Sequence, residues 1–158
     1  MSENTSASVG STPRIAIIGN PNVGKSTIFN FLTGLNQKIG NYPGVTVDKK
    51  VGFFQVRGES FEILDLPGTY SLFPNSEDEI IAHRVLNQPN PEDKPDFVLM
   101  VIDSTQLSRG LFLATQLIDL GLNKANLMNM SDVAEKKKIE IRAFELFKAL
   151  GVTILNTD

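Results

Sequence analysis

Gly19-Asn20-Pro21-Asn22-Val23-Gly24-Lys25-Ser26 fits the pattern GxxxxGKS/T, and its neighbours narrow the fold further. The preceding run Ile15-Ala16-Ile17-Ile18 is short, mostly β-branched and closed by Gly19, as a strand buried on both faces should be. After the loop, Ser26 to Leu35 spaces Ile28, Phe29, Phe31, Leu32 and Leu35 by threes and fours, which predicts a helix with one apolar face. Strand, glycine loop and helix in this order form a phosphate cradle. Glycines let the backbone close around phosphate oxygens, while successive N–H groups and the helix N-terminus favour anions. Lys25 adds a point charge at the β and γ phosphates, and Ser26, with Thr27 beside it, brings a hydroxyl for Mg²⁺.

The rest of the chain predicts a matching frame. Val51 to Val56 and Phe61 to Leu64 form a hairpin turned at Arg57-Gly58-Glu59. Asp78 to Leu86, Leu107 to Leu120 and Ile139 to Leu150 are expected helices. Phe97 to Ile102, Ala125 to Met128 and Val152 to Leu155 are expected strands. The implied architecture is α/β: a P-loop NTPase of the Ras-like G-domain kind, with a mostly parallel six-stranded sheet and helices on both faces. Its ligand belongs at the carboxyl ends of the strands. With 158 residues there is room for one such domain, expected over 13–158, behind a Ser/Thr/Gly-rich arm over 1–12 that has almost nothing to bury. The net charge of -3, with no basic block beyond Lys136-Lys137-Lys138, does not suit nucleic acid as the main partner. The absence of cysteine excludes disulfides and thiolate metal sites. No apolar stretch approaches the ~20 residues of a spanning helix. His83 has no partner at metal spacing, and Phe53, Phe54, Phe61, Phe97, Phe112, Phe144 and Phe147 read as core filling.

Three further segments fit the phosphate loop. Asp65-Leu66-Pro67-Gly68 follows a strand, so Asp65 should emerge at the same sheet edge and hold Mg²⁺ through water. Between it and the phosphate loop lies Asn41 to Asp48, where Gly44, Val45, Thr46, Val47 and Asp48 are candidate nucleotide contacts. There Thr46 adds a second hydroxyl for Mg²⁺ and an N–H for the γ phosphate. If Thr46 and Gly68 are held only while that phosphate is present, hydrolysis releases both loops. Finally Asn129-Met130-Ser131-Asp132 stands where an NKxD guanine reader belongs. A carboxylate at Asp132 accepts from the ring N–H and exocyclic amine of guanine, whereas adenine offers an acceptor there. Met130 replaces the usual lysine, and its thioether can pack on the base without a charge.

Taken together, GNPNVGKS, NYPGVTVD, DLPGTYSL and NMSDVAEKK resemble the G domain of ferrous iron transport protein B, among the TrmE-Era-like P-loop GTPases, across nearly all of 14–158. The resemblance implies GTP/GDP as ligand and slow, Mg²⁺-dependent hydrolysis that regulates ferrous iron uptake. It also implies K⁺ stimulation with Asn22 as a cation ligand, so that Lys25, Thr46, Gly68 and Asn22 form the catalytic set. It further implies rearrangement of 40–48 with GTP, and a helical and a membrane domain as partners at the cytoplasmic face of the bacterial inner membrane, this segment itself being soluble.

Three departures from the family pattern stand out. Thr69 occupies the place where Ras-like enzymes use a water-orienting glutamine, so slow turnover is expected. Lys124 and Asn126 interrupt a strand that is apolar in the family, and either would be costly if buried unpaired. The sequence reaches Asp158 where the last guanine-contacting loop and closing helix are expected. A sheet without that helix points to reduced stability, a homodimer or a swapped element. The rival readings are an Era-like ribosome-associated GTPase, a guanine-nucleotide module that does not hydrolyse, and an ATPase.

Overall fold

The computed structural model describes residues 10–90, 94–129 and 153–157, together with positions 132, 145, 149 and 151. The chain runs β1 (Arg14–Gly19), α1 (Lys25–Thr33), β2 (Gln37–Asn41), β3 (Asp48–Val56), β4 (Glu59–Asp65), α2 (Glu77–Leu86), β5 (Phe97–Asp103), α3 (Leu107–Asp119), β6 (Lys124–Asn129) and β7 (Thr153–Asn156). One sheet takes the order β2-β3-β4-β1-β5-β6-β7. β4, β1, β5, β6 and β7 are parallel, and β2 and β3 add an antiparallel edge. This is the expected P-loop architecture with seven strands in place of six.

The added strand is β2. Its burial pattern is exposed at four of five positions, so it carries no hydrophobic alternation to read. Backbone pairing with β3, from Gln37 opposite Gly52 to Asn41 opposite Asp48, holds it instead. That pairing also extends β3 back to Asp48 and makes residues 42–47 the tip of a β2–β3 hairpin. The tip is closed by the Tyr42 N–H donating to the Val47 carbonyl at 3.1 Å. The β3–β4 turn is the predicted tight one, with Arg57 at φ 51° and Gly58 at φ 82°, both in the region that a two-residue hairpin turn demands.

Alternation along β1 supplies both faces of the core. Ala16 and Ile18 join Met100, Leu113, Leu117 and Ile81 on the side covered by α2 and α3. Ile17 joins Ile63, Val101 and Phe29 on the side of α1. The expected apolar face of α1 is narrower than its spacing suggests: Phe29 is buried and Ile28 and Leu32 are half-buried, but Phe31 and Leu35 are exposed. At 100° per residue Phe31 lies on the far side from Phe29, and Leu35 falls beyond the helix, which ends at Gly34. Phe112 is likewise exposed and does not fill the core. The helix expected over 139–150, with Phe144 and Phe147, lies outside the described residues.

Of the two polar residues in β6, the half-buried Lys124 is satisfied, its ammonium donating to the Leu122 carbonyl at 3.2 Å. Asn126 is 2% exposed, and its amide nitrogen has no partner among the described residues.

Candidate functional site

The phosphate loop turns sharply because two of its residues take positive φ, Asn22 at 64° and Gly24 at 90°. Gly19 lets β1 and β5 close up at the loop's root, since a Cβ there would lie 2.6 Å from the Val101 carbonyl oxygen. Val23 is buried under the loop against Ile17 and Phe29. α1 starts at Lys25 with no side-chain cap, so its first-turn N–H groups have no side-chain acceptor. These groups face a cavity of about 560 Å³ lined by Asn20, Pro21, Asn22, Gly24, Lys25, Ser26, Thr27, Gly68 and Asp78.

An adjoining cavity of about 380 Å³ shares Lys25, Ser26 and Asp78 with the first and adds Thr46, Val47, Asp48, Lys50, Asp65, Leu66 and Pro67. Lys25 Nζ and Asp65 Oδ1 form a buried ion pair between these walls. The hydroxyls of Ser26 and Thr46 and the Asp65 carboxylate thus border one space. This all-oxygen set fits Mg²⁺, which prefers one or two carboxylates and completes its shell with water and phosphate oxygens. Among the described residues no cluster of three or more His, Cys, Asp or Glu offers an all-protein metal cage.

Asp65 ends β4, and the segment after it is tied along β1: Leu66 N–H donates to the Ile17 carbonyl and Thr69 N–H to the Gly19 carbonyl, both at 3.0 Å. Gly68 is thereby laid on the phosphate loop, where a Cβ would come 3.0 Å from Pro21 Cα. Thr69 is buried, and its hydroxyl donates to the Ser71 carbonyl at 2.6 Å. It is turned inward, away from the role of a water-orienting side chain.

Asn129 ends β6 and clasps the phosphate loop, donating from Nδ2 to the Val23 carbonyl at 2.8 Å. Gly24 leaves room for that amide, which a Cβ would meet at 2.2 Å. Asp132 is half-buried; Met130 and Ser131 lie outside the described residues. In the hairpin tip Gly44 is exposed and Val45 half-buried, and neither lines the two cavities.

Several residues that border or hold this site escape sequence reasoning. Asp78 lines both cavities from the first turn of α2. Tyr42 roots the hairpin tip in the core with Ala16, Leu64 and Leu66. Its hydroxyl is buried with no partner among the described residues, and burial, then the charge of Asp65, raise its pKa far above the ordinary phenol range. Glu79 accepts from the Ser71 hydroxyl at 3.1 Å and from the Ser76 N–H at 3.1 Å, and Gln116 accepts from the Leu72 N–H at 2.8 Å. Together they hold the strand-to-helix segment after Gly68. The capping signal Ser76-Glu77-Asp78-Glu79 is visible in sequence and places both Asp78 and Glu79; nothing local marks Gln116.

The fold, the phosphate loop and the order of the other segments define a P-loop G domain. The family model for ferrous iron transport protein B matches residues 13–158, and the chain belongs to that family, as its G domain. The Fe(2+) transporter FeoB of Methanocaldococcus jannaschii is 57% identical over 108 residues, covering 68% of this chain and 15% of that protein. The Leptospira biflexa transporter is 44% identical over 141 residues, covering 89% of this chain and 20% of that protein. The chain therefore spans a fifth or less of these relatives. Among solved structures, the Legionella pneumophila FeoB cytosolic domain superposes with a TM-score of 0.84 at 43% identity, covering 92% of this chain and 56% of that one. The Thermotoga maritima cytosolic domain in its GMPPNP form gives 0.85 at 38% identity, covering 92% and 56%.

Proposed function

We propose that this G domain binds GTP and hydrolyses it slowly, with Mg²⁺ required and K⁺ stimulating, as the nucleotide switch of a ferrous iron transporter at the cytoplasmic face of the bacterial inner membrane. The observation that carries the reading is the convergence of Lys25, Ser26, Thr46, Asp65 and Gly68 on two adjoining cavities around the phosphate loop. The GMPPNP form of the T. maritima relative supports guanine nucleotide as the ligand.

In this reading the loop N–H groups and α1 bind the β phosphate, and Lys25 exchanges its Asp65 partner for the β and γ oxygens. The hydroxyls of Ser26 and Thr46 and, through water, the Asp65 carboxylate would hold Mg²⁺, which would supply charge neutralisation for the transferring phosphoryl group. The backbone N–H groups of Thr46 and Gly68 meet the γ phosphate and report its loss through their loops. Asp132 pairs with the guanine edge while Asn129 fixes the reader to the phosphate loop. Asn22, which lines the phosphate cavity, would offer an amide oxygen to K⁺, which would supply there the positive charge that an arginine finger supplies in other GTPases. With Thr69 facing inward, backbone groups position the attacking water, and turnover is slow.

The test is GTP hydrolysis and nucleotide binding in matched sodium and potassium buffers, with Asn22→Ala alongside. Stimulation of roughly tenfold or more by potassium, lost in Asn22→Ala while binding persists, is the expected result. Binding without hydrolysis in either salt would leave only a switch module.

A further inference from the structure

We propose that the cavity between the β2–β3 hairpin tip and α2 is a binding site for a small dianion of carboxylate or phosphate chemistry, whose occupant acts on the switch segment. The cavity encloses about 260 Å³ and is walled chiefly by Tyr42 and Pro43 of the hairpin tip, Lys49 of β3, Arg84 of α2, and Arg14 with Glu62 from β1 and β4. A cleft of this size has room for a small anion such as a four-carbon dicarboxylate. None of its lining residues lines the two phosphate-loop cavities.

The charge lining favours an anion. Its one carboxylate, Glu62, is engaged by Arg14 Nε at 2.6 Å. Lys49 and Arg84 have no carboxylate partner among the described residues. The Lys49 ammonium lies 5.8 Å from the Tyr42 ring centroid. That tyrosine is 6% exposed, with a buried hydroxyl that has no partner among the described residues and stays protonated. Two cations, with no free carboxylate beside them, make a lining that favours a dianion.

Tyr42 and Pro43 lead directly into the loop that carries Thr46, so an occupant touches that loop from its inner side. If the loop rearranges with nucleotide, dianion and GTP affect each other's affinity by the same factor. That coupling rests on the switch reading above; the site does not.

Tyr70→Phe leaves Tyr42 as the sole tyrosine of a chain without tryptophan, so its emission reports on the cavity. With the phosphate loop filled by saturating GDP, whose binding is checked separately with a fluorescent analogue, succinate and inorganic phosphate are titrated at constant ionic strength. A saturable change in Tyr42 emission is expected with at least one of them, and the responding anion identifies the chemistry. The response should weaken at least tenfold in Arg84→Gln and in Lys49→Gln, whose exposed side chains can change without loss of fold or GDP affinity. No saturable response to either anion, or an equal response in both variants, overturns the site. If GDP fails to bind while succinate still titrates, the nucleotide reading fails and the cavity stands. Midpoints that differ less than twofold between GDP-loaded and GTP-analogue-loaded protein overturn the coupling.

Discussion

Asn126 and Tyr42 are two of the three described residues, Asn20 being the third, at which a buried polar atom goes without a partner among the described residues. Asn126 lies opposite Met100 and Ile154 in the sheet, both apolar, with its amide nitrogen unpartnered among the described residues. An unmade hydrogen bond of this kind costs ~1–3 kcal/mol. Asn126→Val removes the orphan and suits a strand, so it should raise stability by roughly 1 kcal/mol in urea unfolding, given some misfit of shape. A loss of stability would mean that the amide serves a partner. At Tyr42 the neutral phenol is favoured on folding, by burial first and Asp65 second. The folded pKa stands above the unfolded value of ~10, so this contribution is fully present below pH ~10 and is lost as pH rises beyond it. In the Tyr70→Phe background, absorbance of phenolate should therefore appear only as the protein unfolds in alkali. Titration near pH 10 with the fold intact would contradict the burial.

At the scale of elements, the segment between Gly68 and α2 is restrained by Glu79 and Gln116. That carboxylate closes the capping box with Ser76 and also holds the Ser71 hydroxyl. Glu79→Ala should cost ~1 kcal/mol of stability, as lost caps do. It should also speed hydrogen exchange of the amides of residues 71–76 by roughly tenfold, with the central strands unaffected. Unchanged exchange there would show that Gln116 alone suffices. The boundaries of α2, α3 and β5 were legible because periodicity and burial agree. β2 was not, because an exposed edge strand is held by backbone pairing that leaves no side-chain pattern. The same missed strand hid the fact that Thr46 rides on a hairpin tip, since the tip is anchored by one aromatic residue, Tyr42, whose ring alone does not announce a root in the core.

Across the whole molecule, the phosphate end of the site was the most legible part. The reason is that its chemistry is written in consecutive residues, and the strand and helix around it are dictated by the same few positions. The proposed base reader is one short string, and what joins its first residue to the phosphate loop is a contact across 106 residues, from Asn129 to Val23, which no local pattern announces. Gln116 was illegible for the same reason, and the capping string that places Asp78 on α2 does not tell that it lines the cavities. Two adjoining cavities beside one loop, a carboxylate paired with the loop lysine, and a clasp from β6 are the features on which the proposed reading, a site for a guanine nucleoside triphosphate, rests. The measurement that tests this most directly is phosphate release from GTP by the whole chain, with Mg²⁺ in potassium buffer, with and without a tenfold excess of ATP. The account predicts slow release that ATP leaves unchanged; no release, or suppression by ATP in proportion to its excess, would contradict it.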